Sequence, residues 1–376
     1  MRGLRSRPQA AQRAFRRGKR FVKGEILFPL SVCIIAKNEE KHIGECLERL
    51  SAYGFELVLT DTGSTDRTVE IARKYTDRIY HFDWCDDFSA AKNFCVQKAS
   101  HDRILSLDCD EYMEQLDVSA LARCMEQYPD HAGRILIRSR FLRGGETSYE
   151  QTRVSRIADR RYFHFAGSVH EQLERRDGRV KSVYDAPVTI LHVGYDETES
   201  DMQEKSRRNI ALLQAQLDRE GPDPYLYFQL GQSYRRLGDA ENAFQCFDAG
   251  LSMEVDPGLD YVKTMVESYG YTLLDLKRAQ DALGLAELYD VFAVRADFVF
   301  LMGLVYMNNG LFDAAVAEFK KAATIEDFSV DGVNSYMAYY NTGVIYECTG
   351  HMEEARVYYR KCEGYAPAEE RLKALA

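Results

Sequence analysis

The chain has 376 residues, 45% of them hydrophobic and 29% charged, with a net charge of -10; it is long enough for two cores and too long for one ordinary domain. No apolar run approaches a membrane span, no signal peptide is visible, and so acidic a body argues against nucleic-acid binding. The nine cysteines are scattered, odd in number and lack a CxxC pair, which speaks against a disulfide framework or zinc site and for a reducing compartment, the cytoplasm.

Residues 1–23 carry nine Lys or Arg and no acid, so residues 1–28 read as a basic tail. It is either a flexible terminus or a contact to an anionic membrane surface or acidic leader peptide. Leu30 to Ala36 then reads as a fully buried strand. Lys37-Asn38-Glu39-Glu40 follows it, before an amphipathic helix through Ile43, Leu47 and Leu50. A second strand, Glu56 to Thr60, ends in Asp61-Thr62-Gly63-Ser64-Thr65-Asp66, and a helix follows through Val69 and Ile71. A third, Arg78 to Phe82, precedes Asp83-Trp84-Cys85-Asp86-Asp87 and a helix from Ser89 to about Ala99.

The fourth strand, Leu105-Ser106-Leu107, ends in Asp108-Cys109-Asp110-Glu111. Strands alternating with helices indicate a parallel α/β sheet, in which ligand sites form at the carboxyl edge. Strand side chains alternate in direction, so Asp108 and Asp110 share a side as the strand runs out. Two hard oxygen ligands there suit Mg²⁺ or Mn²⁺. An isolated pair of this kind also reads as an acidic helix cap. What favours a site is that Asn38, Asp61 and the Asp108/Asp110 pair should converge on one crevice.

The blocks SVCIIAKNEE, LVLTDTGSTDRT, DFSAAKNF and ILSLDCDE, in order across residues 31 to 111, resemble family 2 glycosyltransferases of the GT-A fold. The resemblance implies a Rossmann-like nucleotide-sugar domain over residues 29–200 that transfers a sugar from a UDP-sugar with inversion. It implies that Ala36, Asn38 and Glu39 lie near the nucleotide, that Asp61 contacts the uracil, and that Asp108 and Asp110 hold the metal and diphosphate. Lys92 stands where many members have Arg, and it can meet a phosphate as a point charge. Trp84 stacks on the sugar or lines the donor pocket, or else is a core aromatic.

Residues 133–195 alternate and carry β-branched residues, which predicts strands extending the sheet through 133–137, 152–157, 167–173 and 189–195. Val169-His170-Glu171 resembles a subgroup in which the His-Glu pair faces the acceptor. Either group can take the acceptor's proton, with Glu171 preferred as base; the alternative is a structural network with nearby arginines. His192 resembles the late histidine that adds a metal ligand in GT-A domains, and otherwise reads as a satisfied core histidine.

Residues 201–223 read as a linker helix, in which Lys205, Arg208 and Asn209 either close over the donor or form a solvated face. From residue 224 the pattern Leu230-Gly231, Tyr234, Gly238, Ala243, Phe247 recurs at Gly303, Tyr306, Gly310, Ala315, Phe319 and again at Gly343, Tyr346, Gly350, Ala355, Tyr359. This is the tetratricopeptide pattern, with room for one degenerate repeat around Tyr261 to Tyr289. Residues 224–376 are therefore expected to form an all-α solenoid following the GT-A domain. Such a solenoid binds an extended peptide, dimerises the enzyme, or braces the catalytic half.

A GT-A domain fused to these repeats resembles the peptide S-glycosyltransferases that modify cysteine in bacterial ribosomal peptides. It implies a peptide or protein acceptor; a lipid-linked or surface saccharide is the alternative within the enzyme class. A decayed transferase serving as a scaffold is the alternative outside it.

Overall fold

The strand that opens the described chain, β1 (Leu30–Ala36), is apolar on both sides because both sides are covered. In the computed structural model, which describes residues 29–143, 146–193 and 199–375, β1 lies parallel to β2 (Glu56–Asp61) and to β4 (Arg103–Leu107). Strand β3 (Ile79–His81) continues this parallel half beyond β2. Helix α1 (Ile43–Ser51) packs Ile43, Leu47 and Leu50 onto the face carrying Val32 and Ile34. Helix α2 (Thr68–Ala72) lies against α1. Helix α3 (Phe88–Lys98) packs Cys95 and Val96 onto the opposite face, beside Cys33, Val58 and Ile104. Each large aliphatic side chain buried in this way contributes about 1.5–3 kcal/mol.

The rest of the sheet is mixed, where strand-helix alternation alone suggested a parallel one. Its order is β3-β2-β1-β4-β7-β6-β10-β5. Strands β6 (Ala132–Arg143) and β7 (Glu146–Asp159) form a long hairpin, and so close a connection permits only antiparallel pairing. Strand β5 (Glu111–Leu116) leaves the DxD segment directly and pairs with β10 (Val183–His192) at the far edge. Helix α4 (Val118–Gln127) covers this end through Leu121 and Met125. The strand expected over 167–173 is not present. Instead β8 (Phe163–Ala166) and β9 (Gln172–Arg175) form a separate ribbon, and 167–171 is the loop between them.

Helix α5 (Glu199–Glu220) leads into paired helices: α6 (Pro224–Arg236) with α7 (Ala240–Leu251), α9 (Ala296–Asn308) with α10 (Phe312–Ala322), and α11 (Tyr336–Cys348) with α12 (Met352–Lys361), followed by α13 (Ala366–Ala374). Helix α8 (Asp260–Asp275) stands between the first two pairs, and only short helical turns over 279–292 follow it. The repeating glycines have a packing reason. A Cβ on Gly303 would lie 2.6 Å from the Phe319 ring, and one on Gly343 would lie 2.7 Å from Tyr359; Gly231 meets Phe247 likewise. At the degenerate position Gly270 faces Leu285 and Leu301 in place of an aromatic ring.

The two halves are joined by backbone as well as side chains. Gln151 N donates to Ser329 O at 2.8 Å and Asp331 N to Tyr149 O at 2.9 Å, so the connection between α10 and α11 makes a single antiparallel bridge, Glu150 to Val330, on the edge of β7. Arg134 of β6 reaches Asp260 of α8 at 3.4 Å. Beside this junction Glu150, Glu267 and Asp297 face Arg295, which lies 3.4 Å from Asp297 and 3.9 Å from Glu267. The basic tail, residues 1–28, lies outside the described residues.

Candidate active site

Sheet topology explains the site. Strand β4 ends at Leu107, and the chain turns through Asp108-Cys109-Asp110 into β5. The register of β10 sets His192 opposite Glu111, which brings its Nε2 to 3.2 Å from Asp110 Oδ2. On the other side β7 pairs Ile157 with Leu105. Arg156 thereby reaches the DxD turn, with Nη2 donating at 3.0 Å to both Asp108 Oδ2 and Glu111 Oε1. Glu111 Oε2 in turn accepts from Asp108 N at 2.9 Å.

Helix α3 supplies the second cation. Its start is fixed by Asp87, whose side chain accepts from Ala90 N. Asn93 is spent on the ribbon, exchanging hydrogen bonds with the backbone of Phe165. Lys92, one residue before it, points inward with its side chain 4% exposed. Its Nζ sits 2.6 Å from Glu171 Oε1 and 3.1 Å from Asp108 Oδ1. One ammonium therefore bridges the first DxD carboxylate and the candidate base.

These contacts set the charge states. Burial opposes ionisation of Asp108, but Lys92 and Arg156 outweigh it and hold the carboxyl well below the usual carboxylate range. Burial likewise disfavours a charged Lys92, and Asp108 and Glu171 reverse that, raising its pKa. Asp110 is lowered against burial by the His192 hydrogen bond and charge, and His192 is raised against burial by Asp110. Burial pushes Glu111 up. His170 is driven down to about 4, first by burial and then by Arg236, so its imidazole is neutral at physiological pH. Its Nε2 is buried without a hydrogen-bond partner.

A cavity of about 560 Å³ opens over these groups. Among the residues expected at the site, Ala36, Glu39, Trp84, Lys92, Asp108, Asp110, His170, Glu171 and His192 line it. Trp84 stands edge-on to Phe88, with ring centroids 4.7 Å apart. Asn38 and Asp61 are not brought to its wall. Asn38 Oδ1 accepts from Thr65 N at 2.8 Å, and the Asp61 carboxylate accepts from Ser64 N at 3.1 Å, so both side chains shape the 61–66 loop. Lys205, Arg208 and Asn209 of α5 line the cavity, as they would if they closed over a donor.

The sequence reading gave no role to Arg156, Glu111, Gln172 or Tyr225. Arg156 and Val154 line the cavity from one face of β7, so strand alternation was the available signal for the arginine. Tyr225 reaches the wall from the first turn of α6, and nothing local to its sequence marks it.

Asp110 and His192 offer an oxygen and an imidazole nitrogen side by side. Among the described residues no cluster of three or more His, Cys, Asp or Glu side chains is arranged to hold a metal. The pair nevertheless fits a divalent cation that takes its remaining ligands from a diphosphate and water, the usual habit of Mg²⁺.

Residues 31–171 match the model of the family described as Glycosyl transferase family 2. Residues 224–254, 296–327 and 338–369 match the tetratricopeptide repeat, leaving out α8 and the turns after it. Among curated proteins, the chain is similar to a TPR repeat-containing protein of Synechococcus elongatus, 29% identical over 63% of this chain and 60% of the relative. It is similar to the SPbeta prophage-derived glycosyltransferase SunS of Bacillus subtilis, 26% identical over 64% of this chain and 54% of the relative. The lipopolysaccharide core biosynthesis glycosyltransferase LpsC of Rhizobium meliloti is 29% identical over 34% of this chain and 48% of its own length. The matches thus span from about half to three-fifths of these relatives. Of solved structures, the crystal structure of MamA aligns with a TM-score of 0.37 at 22% identity, over 48% of this chain and 98% of that one. The chain thus joins a region that matches the family 2 glycosyltransferase model to three that match the tetratricopeptide repeat.

Proposed function

We propose that this chain, a family 2 transferase domain whose cavity is walled on one side by α5 and by Tyr225 of the first repeat, moves a sugar from a UDP-sugar to a peptide or protein acceptor with inversion. The observation that carries the reading is the Lys92 bridge. It sets Asp108, on the donor side, and Glu171, on the acceptor side, within reach of a single ammonium.

Asp110 and His192 would hold Mn²⁺ or Mg²⁺, which when bound supplies Lewis-acid stabilisation of the departing diphosphate. Lys205 and Arg208 flank the same cavity from α5 and add positive charge toward a diphosphate. Glu171 takes the acceptor's proton, and Lys92 holds its carboxylate in place until it does. As Glu171 is neutralised, the Lys92 charge turns wholly to Asp108 and the leaving group beside it. His170, neutral and lining the cavity beside Glu171, faces the acceptor. Trp84, Phe88 and Val154 line the cavity and exclude water from the sugar.

The peptide acceptor is supported by the repeats' direct share in the wall, through Tyr225, and by the fusion plan itself. The similarity to LpsC, a lipopolysaccharide core enzyme by name, favours a saccharide acceptor as the second reading. Incubating the protein with a panel of UDP-sugars and Mn²⁺, alone and with candidate peptides, tests both by mass spectrometry. Sugar-modified peptide is the expected product; transfer to oligosaccharide alone would replace the first reading with the second. Absence of turnover of any UDP-sugar would leave a scaffold.

A further inference from the structure

We propose that Tyr225, from the first repeat helix, is a positioning residue of the transferase site, aiming the His170–Glu171 segment at the acceptor. The role of that segment rests on the function proposed above. His170 has φ of 53°, a left-handed conformation uncommon for a residue with a side chain.

The surroundings that hold it come largely from outside the catalytic sheet. Gln172 Nε2 donates to Tyr225 Oη at 2.7 Å and to the His170 carbonyl at 3.2 Å; Tyr225 Oη donates to the same carbonyl at 3.4 Å. The hydroxyl thus closes a triangle on the peptide unit joining His170 to Glu171. Val169, just before, is buried among Ile210 and Leu213 of α5 and Leu226 and Leu230 of α6. Ser168 N donates to Gln216 Oε1 at 3.2 Å, and its carbonyl accepts from Phe88 N at 2.8 Å.

Tyr225 is itself fixed by the repeats. Its ring meets Tyr261 of α8 edge-on, with centroids 5.2 Å apart, and lies 6.1 Å from Phe228. A continuous run of contacts therefore passes from α8 through Tyr225 to the His170 carbonyl, and on through Glu171 to Lys92 and Asp108. The repeats act in the reaction by setting the direction of the base and need not touch the reacting atoms to do so.

Tyr225→Phe in the full chain tests this, since it keeps the ring stack and removes only the hydroxyl. The expected result is a kcat for transfer lower by roughly 10- to 100-fold, the size of effect that small misplacements of reacting groups produce. UDP affinity and thermal midpoint should stay those of the unmodified chain. Hydrogen exchange at the 167–172 amides should speed up about tenfold, the consequence of losing one hydrogen bond of ordinary strength. Gln172→Ala should reproduce these changes, and the double variant should add little to either. Normal exchange in the loop overturns the proposal, as does a loosened loop with an unchanged kcat. The exchange measurement does not depend on turnover, so a chain that transfers no sugar would count against the transferase reading while the loop is still judged.

Discussion

Lys92 is the residue on which most of the site's electrostatics converge. Its ammonium is buried between Asp108 and Glu171, so Lys92→Met would take the ion-pair partner from Glu171 and leave Asp108 to Arg156. Removing one partner of a buried ion pair typically costs about 3–5 kcal/mol, and the thermal midpoint should fall accordingly. Adding Glu171→Gln to that variant should recover part of the loss, because the carboxylate that lost its ion pair is then neutral. Glu171→Gln alone should lower kcat by roughly 10²–10⁴ while leaving UDP-sugar affinity near its original value. Loss of donor affinity in equal measure would instead place Glu171 in the nucleotide site. Asp110→Ala should abolish turnover and weaken UDP binding measured in Mn²⁺, and EDTA should do the same to the unmodified protein; full activity would refute Asp110 as a ligand. At this scale the sequence showed which residue types gather at the strand ends, because strand termini follow from local pattern. It did not show how they pair. That Lys92 turns to Glu171, or Arg156 to Asp108, depends on strand neighbours distant in sequence.

At the scale of single elements, periodicity was the reliable guide. Strands β1, β2 and β4 were legible as short apolar runs because both faces of a central parallel sheet are covered. The repeats were legible because Gly303 and Gly343 recur where a ring from the partner helix must pack. Gly303→Ala should cost about 1–3 kcal/mol by overpacking against Phe319, read as a lower denaturation midpoint with the slope unchanged. The failure at 167–173 is equally physical. Val169 and Leu173 have the spacing of an inward-facing strand, yet Val169 is buried against α5 and α6 and Leu173 against α3 and the sheet. One apolar pattern served two separate cores, and no local signal distinguishes that from a strand.

For the whole molecule, the junction of the halves is where charge and stability meet. Burial drives Glu267 up to about 8; Asp297 and Glu150 add to that, while Arg295 and Lys263 oppose it. Burial also raises Glu150, against Arg236, Arg295 and Arg235. A carboxyl raised in the folded state keeps protons that the unfolded chain has already released. Stability should therefore fall as pH rises from about 4.5 to about 8, then level off with respect to this group. Thermal midpoints across that window should show the decline, and Glu267→Gln should flatten it. An unchanged slope in that variant would assign the dependence to other groups. Domain order was readable from composition and motif, but this junction was not, since it joins β7 to a loop between α10 and α11.

That bridge bears on how the protein is made. Synthesis runs from the amino end at about 5–20 residues per second, so on the order of 10–30 s separate the emergence of β7 from that of its partner near Ser329. Through that interval the nascent catalytic half has an exposed sheet edge, an open invitation to pair with another chain. Tyr225 leaves the ribosome early in the same interval, just after Lys205, Arg208 and Asn209 of α5. A chain stalled before residue 225 would carry every DxD and His-Glu residue and still lack the hydroxyl that braces the His170 carbonyl. The bracing of the His170 carbonyl is thus deferred until translation has delivered the first repeat helix.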